Sequence, residues 1–240
     1  MRYLKYFTII LLLNMLLGCV TTKLDDTQKS SIKRIGLVVM VNDFYSVDFV
    51  SDAVSDSVHY ELSDNAQAYV NTIKASAENY LVSKGYKVSI LNIGNELRPE
   101  YKLGLSKKLE SSLTQSAAAS KIDTIVMLHD GHCYVAGPKD KSGKTDGLNT
   151  SGHGLVRKAA MPAQQYACLM LDIIKVKGFD KMVNKKLAAY SSFDDRDIIE
   201  KISEKKGIYT FSEDEDKGLK HSISLYYRAL TRAILGRAKL

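Results

Sequence analysis

No apolar run in this chain is long enough to cross a bilayer. The longest, from Tyr6 to Leu17, falls short of the ~20 helical residues that about 30 Å of hydrocarbon requires. Basic runs interleaved with aromatics are also missing. Although 34 Lys and Arg stand against 27 Asp and Glu, the surplus does not have the form of a base-stacking nucleic-acid surface, and no nucleic-acid partner is expected. Internal repeats are not visible, so the chain reads as a single core. Cysteine is scarce, at Cys19, Cys133 and Cys168 only. No paired-carboxylate cleft, Ser-His-Asp order or cofactor fingerprint can be assembled, and no second ligand pair at metal spacing stands beside the one dense cluster of reactive side chains.

A nucleotide site is absent for a reason of spacing. The stretch 136–145, AGPKDKSGKT, contains Gly143-Lys144-Thr145, but a phosphate-cradling loop needs another glycine five residues before Gly143, where Pro138 stands. Gly137 is one residue too far, and DGLNTSGHG, which follows, is turn-rich rather than helical. The segment 137–163 therefore reads as a long glycine-rich loop, holding five of the fifteen glycines. It is open to two readings, a partner-binding flap or an unstructured insertion.

What is present begins at the amino end. Arg2 and Lys5 precede the short apolar run, the arrangement of a secretory signal peptide over residues 1–18. Leu16-Leu17-Gly18-Cys19 resembles the lipobox of bacterial lipoproteins, which implies acylation of Cys19 and cleavage just before it. Val20, in place of Asp, matches the sorting pattern of Gram-negative outer-membrane lipoproteins. The resemblance implies a lipid-anchored protein on the periplasmic face of the outer membrane, with the covalent lipid as its only cofactor. Cleavage leaves 222 residues, and loss of Arg2 and Lys5 lowers the formal charge from +7 to +5. Residues 19–33 are polar and aperiodic, as expected for a flexible tether, and 34–240 form the folded domain.

Within that domain RIGLVVMV, from Arg34, is a continuous apolar run of the kind found in strands buried on both faces. Residues 65–85 place Ala66, Tyr69, Val70, Ile73, Ala77, Tyr80 and Leu81 at helical spacing, with Gly85 closing the helix. YKVSILNI is a second strand, and LSKKLESSLTQSAAASK a second helix with Leu105, Leu109 and Leu113 on one face. IDTIVMLHDGHCYVAG is a third strand, broken at Asp130-Gly131. QQYACLMLDIIKVKG and KKLAAYSSF follow as antiparallel strands joined through FDKMVN. A last helix, from about Lys217 to Arg237, turns Leu219, Ile223, Tyr226, Tyr227, Leu230 and Ile234 inward. The expected fold is one α/β domain, a mixed sheet of about five strands in β-α-β-α-β-β-β-α order. That order resembles the small α/β domains of envelope proteins: the curli secretion lipoprotein, the penicillin-binding-protein activators and the amino-terminal domain of the Tol translocation protein. The turn Val41-Asn42-Asp43-Phe44 also resembles one found in uncharacterised proteobacterial lipoproteins. No diagnostic motif of these families is matched, so the likeness concerns topology.

Three sets of side chains carry candidate chemistry. His129, Asp130, His132 and Cys133, with His153 further on, offer zinc ligands or a Cys–His nucleophile, or else form an ordinary strand end. Cys133 and Cys168 flank the long loop and either pair in an oxidising compartment or remain buried thiols. Lys217, His221, Arg228, Arg232 and Lys239 form a stripe opposite the apolar face of the last helix. Such a stripe is a solvated face or a contact for anionic lipid, lipopolysaccharide or peptidoglycan. The expected function is that of a non-enzymatic envelope protein binding another envelope component, protein or peptidoglycan; the alternative is a periplasmic metal protein or hydrolase built on HDGHC. Replacing Cys19 by Ser is expected to abolish palmitate incorporation and release the protein from the membrane fraction. Identical fractionation of variant and parent, with label in neither, would end the anchor reading.

Overall fold

The computed structural model describes residues 23–42, 44–50, 58–63, 66–93, 97, 106–139, 145–158, 163–192 and 212–240. Among the described residues the helices are α1 (Asp26–Ser31), α2 (Ala66–Ser83), α3 (Lys107–Ala119) and α4 (Glu213–Arg237). The strands are β1 (Arg34–Met40), β2 (Phe44–Val50), β3 (Val58–Ser63), β4 (Lys87–Ile90), β5 (Thr124–Asp130), β6 (His132–Lys139), β7 (Thr145–Ser151), β8 (His153–Lys158), β9 (Gln164–Lys175) and β10 (Asp180–Ser192).

β1 is buried from Ile35 onward, as its unbroken apolar run implies. Leu37 and Val39 face a core shared with α2 and α4, whereas Val38 and Met40 face a second core under α3. Helices on both faces are what a central strand without polar alternation needs. β4 and β5 flank β1 in parallel register. After β1 the chain runs through β2 and β3, then returns through α2 to β4 on one side of β1 and crosses through α3 to β5 on the other. Where those directions diverge, at the carboxyl ends of β1 and β5, an open α/β sheet has its switch point.

β9 organises the remainder. β10 pairs with it antiparallel from Gln164 to Lys175 along one edge. Along the other edge it pairs first with β8, over Gln164–Ala167, and then with β5, over Leu169–Lys175. The sheet forks at Cys168, into a β8-β2-β3 branch and a β5-β1-β4 branch. The β6–β7 hairpin issues from the fork between Gly131 and Gly152, with His132 paired to Ser151.

The mixed α/β sheet follows the expected class but has eight strands and a separate two-stranded hairpin in place of about five strands. β2 and β3 were absent from the expected order. FYSVDFV alternates, burying Tyr45 and Val47 against the α2/α4 side, but serine and aspartate at the intervening positions mask the strand. The segment 137–163, expected as a loop, contains β7 and β8. β7, TDGLNTS, pairs only with β6 and needs no apolar face. β8 lies between β2 and β9, where Gly154 lets backbones close up: a Cβ there would sit 2.0 Å from the Ser46 carbonyl oxygen. The β9–β10 turn occupies 176–179, with Gly178 at φ 84° and Phe179 at φ 53°, so FDKMVN is already largely strand.

Residues 23–33, expected as part of a flexible tether over 19–33, are instead docked on the body. Asp25 caps α1 in a reciprocal capping box with Gln28. Leu24 and Ile32 are buried, and the Leu24 N–H donates to the Ala238 carbonyl just past α4 at 3.0 Å. Lys33 and Arg34 N–H groups donate to the Asp123 carboxylate. Two apolar side chains and a set of satisfied backbone donors fix this segment to the body. Leu240 closes against α2 nearby, the Tyr80 hydroxyl donating to its carbonyl at 3.2 Å.

Candidate functional site

The switch point lies where Asn42 follows the end of β1 and Asp130 ends β5. Neighbouring residues on a strand face opposite sides, so the HDGHC cluster is divided by the sheet. His129 points to the α3 side and Asp130 to the α2/α4 side. His132 is exposed at the start of the hairpin, and the side chain of Cys133 lies outside the described residues. Among the described residues no group of three or more His, Cys, Asp or Glu converges in a way that could hold a metal ion.

Asp130 leads into a polar cluster in the larger core. Its Oδ2 accepts the Asn42 N–H across the switch point, and its Oδ1 accepts the Tyr227 hydroxyl at 3.3 Å. Nδ1 of His153 lies 3.0 Å from the Tyr227 oxygen. The phenol has one proton and gives it to the carboxylate, so Nδ1 of His153 is the donor in the second bond. The chain His153 to Tyr227 to Asp130 is thereby fixed in direction. Tyr69 stands edge-on to the imidazole with ring centres 4.7 Å apart, and Tyr45 packs similarly at 5.9 Å. Gln165, also buried, donates to the Leu219 carbonyl at 3.3 Å. His153, Tyr69 and Tyr227 are wholly buried. Burial first, and then the charge of Asp130, push the Tyr227 hydroxyl well above the usual phenol range. Tyr166 is raised likewise by burial and by Asp48.

The other face carries a separate group around Asp172, a carboxylate with no exposed surface. Asn184 donates to its Oδ1 at 2.6 Å, Lys181 lies 3.1 Å from the same oxygen, and His129 Nε2 is 3.5 Å from Oδ2. The His129 Nδ1 donates to the Asp130 carbonyl at 2.8 Å. A buried carboxylate needs such compensation, and removing a partner from one costs about 3–5 kcal/mol.

At the fork, Cys168 is disulfide-bonded. Its backbone N–H donates to the Gly152 carbonyl at 2.7 Å, and its sulfur lies 3.9 Å from the Thr150 hydroxyl. Thr150 is the register partner of Cys133 in the hairpin.

The basic stripe of α4 is present as a surface: Lys217, His221, Arg228, Arg232 and Lys239 are all exposed. It extends down the helix, with Lys217 paired to Glu213 at 2.6 Å near the start and Lys239 just past its carboxyl end.

Sequence reasoning placed Tyr227 in the core but gave no sign of its partner 97 residues earlier. Asn42, Tyr69 and Gln165 were equally silent. Asp172 had a signal, a lone carboxylate within the apolar run LMLDIIK, with Asn184 as its register partner on β10.

No family model matches this chain, and no curated protein matches it. Among solved structures it is similar to the hypothetical protein CT253 from Chlamydia trachomatis, at 8% identity and a TM-score of 0.44 over 87% of this chain and 96% of that one. It is similar to the lipoprotein GNA1162 from Neisseria meningitidis, at 8% identity and 0.32 over 80% and 94%. The PelC dodecamer from Paraburkholderia phytofirmans gives 6% and 0.34 over 85% and 87%. At such scores none of them assigns this chain a family or an activity.

The Tyr227 hydroxyl, itself buried, links buried His153 to the half-buried Asp130 carboxylate, so Tyr227→Phe is expected to lower unfolding stability by about 1–3 kcal/mol. A phenol whose folded-state pKa is raised holds its proton longer when folded. Its contribution is therefore complete below the ordinary value of 10.0 and is lost as pH rises above it. Urea unfolding on either side of that pH checks both points. The variant should lose less stability on alkalinisation than the parent, and equal stability with equal alkaline loss would refute the arrangement.

Proposed function

We propose that this protein is a lipid-anchored binding protein of the cell envelope, acylated at Cys19, held on the periplasmic face of the outer membrane, and engaging another envelope component, protein or peptidoglycan, without catalysing a reaction. The observation that carries the reading is the state of the switch point. The Asp130 carboxylate is committed to Asn42 and Tyr227, and His153 is sealed beneath two tyrosines. A general base or nucleophile needs reach toward a substrate atom; these groups are spent on holding strand ends together. The division of His129 and Asp130 between opposite faces weighs in the same direction. Among the described residues, no helix is long and apolar enough to cross a membrane.

The hairpin above the switch point is the surface on which we place the partner. Cys133 is its second residue, and the neighbourhood of Thr150 supports Cys133 as the bonding partner of Cys168, which would staple the hairpin base to β9. A peptide map of unreduced protein is expected to contain one linked peptide joining those two residues, and recovery of Cys133 as an alkylatable thiol would rule the pairing out. For the function itself, crosslinking in intact cells from probes placed at exposed hairpin positions such as His132 and Ser151 should capture one reproducible envelope component. The same capture from probes on the exposed turn at Lys177, or none from the hairpin, would count against this surface.

A further inference from the structure

Three candidates stand outside the switch point: the Asp172 group, the disulfide at the fork, and the charge at the opposite end of the sheet. The last carries furthest. Parallel strands β1, β4 and β5 all start at that end. Arg34 is in register with Lys87, Lys121 and Asp123 lead into β5, and Thr124 faces Lys175 at the close of β9. The carboxyl ends of α2 and α4 arrive at the same pole, bringing Lys84, Arg237 and Lys239. Lys23 and Lys33 join them on the docked amino-terminal segment. These basic residues are exposed. The acids nearby are fewer: Asp25 and Asp123 are engaged with backbone N–H groups, and Asp26 and Asp180 are exposed. Val82, in the last turn of α2, is 54% exposed, one of two large apolar side chains left open to solvent among the described residues.

This basic pole is also where the chain leaves for its anchor. Leu24 is pinned to Ala238, and the five peptide units from Cys19 to Leu24 span at most about 18 Å. We infer that the pole of Lys33, Arg34, Lys84, Lys87 and Lys239 rests against the anionic headgroups of the leaflet holding the lipid, with Val82 at the interface. The inference rests on acylation of Cys19. A tether this short leaves the opposite pole facing away from the bilayer, and clustered Lys and Arg close to an anionic surface are attracted within about one Debye length, roughly 8 Å.

The test uses the full lipidated protein, reconstituted into vesicles of phosphatidylcholine with or without phosphatidylglycerol, and amine acylation read by mass spectrometry. Labelling of Lys33, Lys87 and Lys239 is expected to fall about threefold or more when phosphatidylglycerol is present, and to recover in high salt, because the contact is electrostatic. Lys217, at the far end of α4, should label equally in both. Equal labelling of pole lysines in both vesicles, on protein whose intact mass shows the lipid, overturns this inference alone. Protection of the same lysines by isolated peptidoglycan but not by vesicles would reassign the surface to glycan. An intact mass without lipid on Cys19 removes the anchor reading, and this inference with it.

Discussion

The peptide N–H of Cys168 stands between two neighbours. Before it, β9 bonds to β8; after it, β9 bonds to β5. A buried amide without a partner is costly, and the Gly152 carbonyl supplies one. For that carbonyl to reach, the chain must turn sharply at Gly152, whose φ is +71°, a conformation most side chains resist. Gly131 closes the other side, its carbonyl accepting the Gly152 N–H. Two glycines and one strand amide thus allow a single sheet to divide without leaving bonds unmade, and every feature of the switch point is placed by that division.

The fork explains why polar groups gather on both faces. Where two branches part, the core beneath is no longer covered by continuous sheet, and side chains must bridge it. On one side Tyr227 comes from α4 to meet Asp130 and His153; on the other, β10 brings Lys181 and Asn184 over Asp172. Each cluster is joined internally by hydrogen bonds, which lowers the cost of burying polar groups. Such clusters specify one arrangement of strands over neighbouring registers, because a slip by one residue would turn Asp172 into the apolar α2/α4 core, away from Asn184 and Lys181.

How much of this the sequence disclosed depends on the range of the interaction. Val38 and Met40 alternating with Leu37 and Val39 announced a strand covered on both faces, and the spacing of Tyr69, Ile73 and Ala77 announced the helix above it, since both are local patterns. The break at Asp130-Gly131 was legible for the same reason. β7 was not, because TDGLNTS has no apolar period and exists as a strand only through β6. The docking of Leu24 was equally hidden: one leucine in a polar stretch becomes core only when the end of α4, more than two hundred residues later, provides the pocket. The hydrogen-bonded part of the Asp130 cluster combines residues from four distant segments, Asn42, Asp130, His153 and Tyr227, and no local pattern joins them.

The polarity of the molecule follows from the direction of its elements rather than from any single residue. A right-handed crossover returns α2 antiparallel to β1, so its carboxyl end must lie beside the start of β1. α4 packs along α2 with its own carboxyl end at the same place, as the Tyr80 contact with Leu240 shows. Helix carboxyl ends carry partial negative charge and favour Lys and Arg; Lys84, Arg237 and Lys239 satisfy that demand before any membrane is considered. At the other end of α4, Ser212 caps the helix and Glu213, Asp214 and Glu215 follow, complementing the positive end of the same dipole. The residues that stabilise the helices therefore also give the domain a basic pole. The amino-terminal segment docks at the basic pole because the groove between α1 and the end of α4 is where Leu24 can be buried. If Cys19 is acylated as proposed, an anchor attached there would present to an anionic leaflet the sign of charge it attracts, and would turn the forked end of the sheet outward.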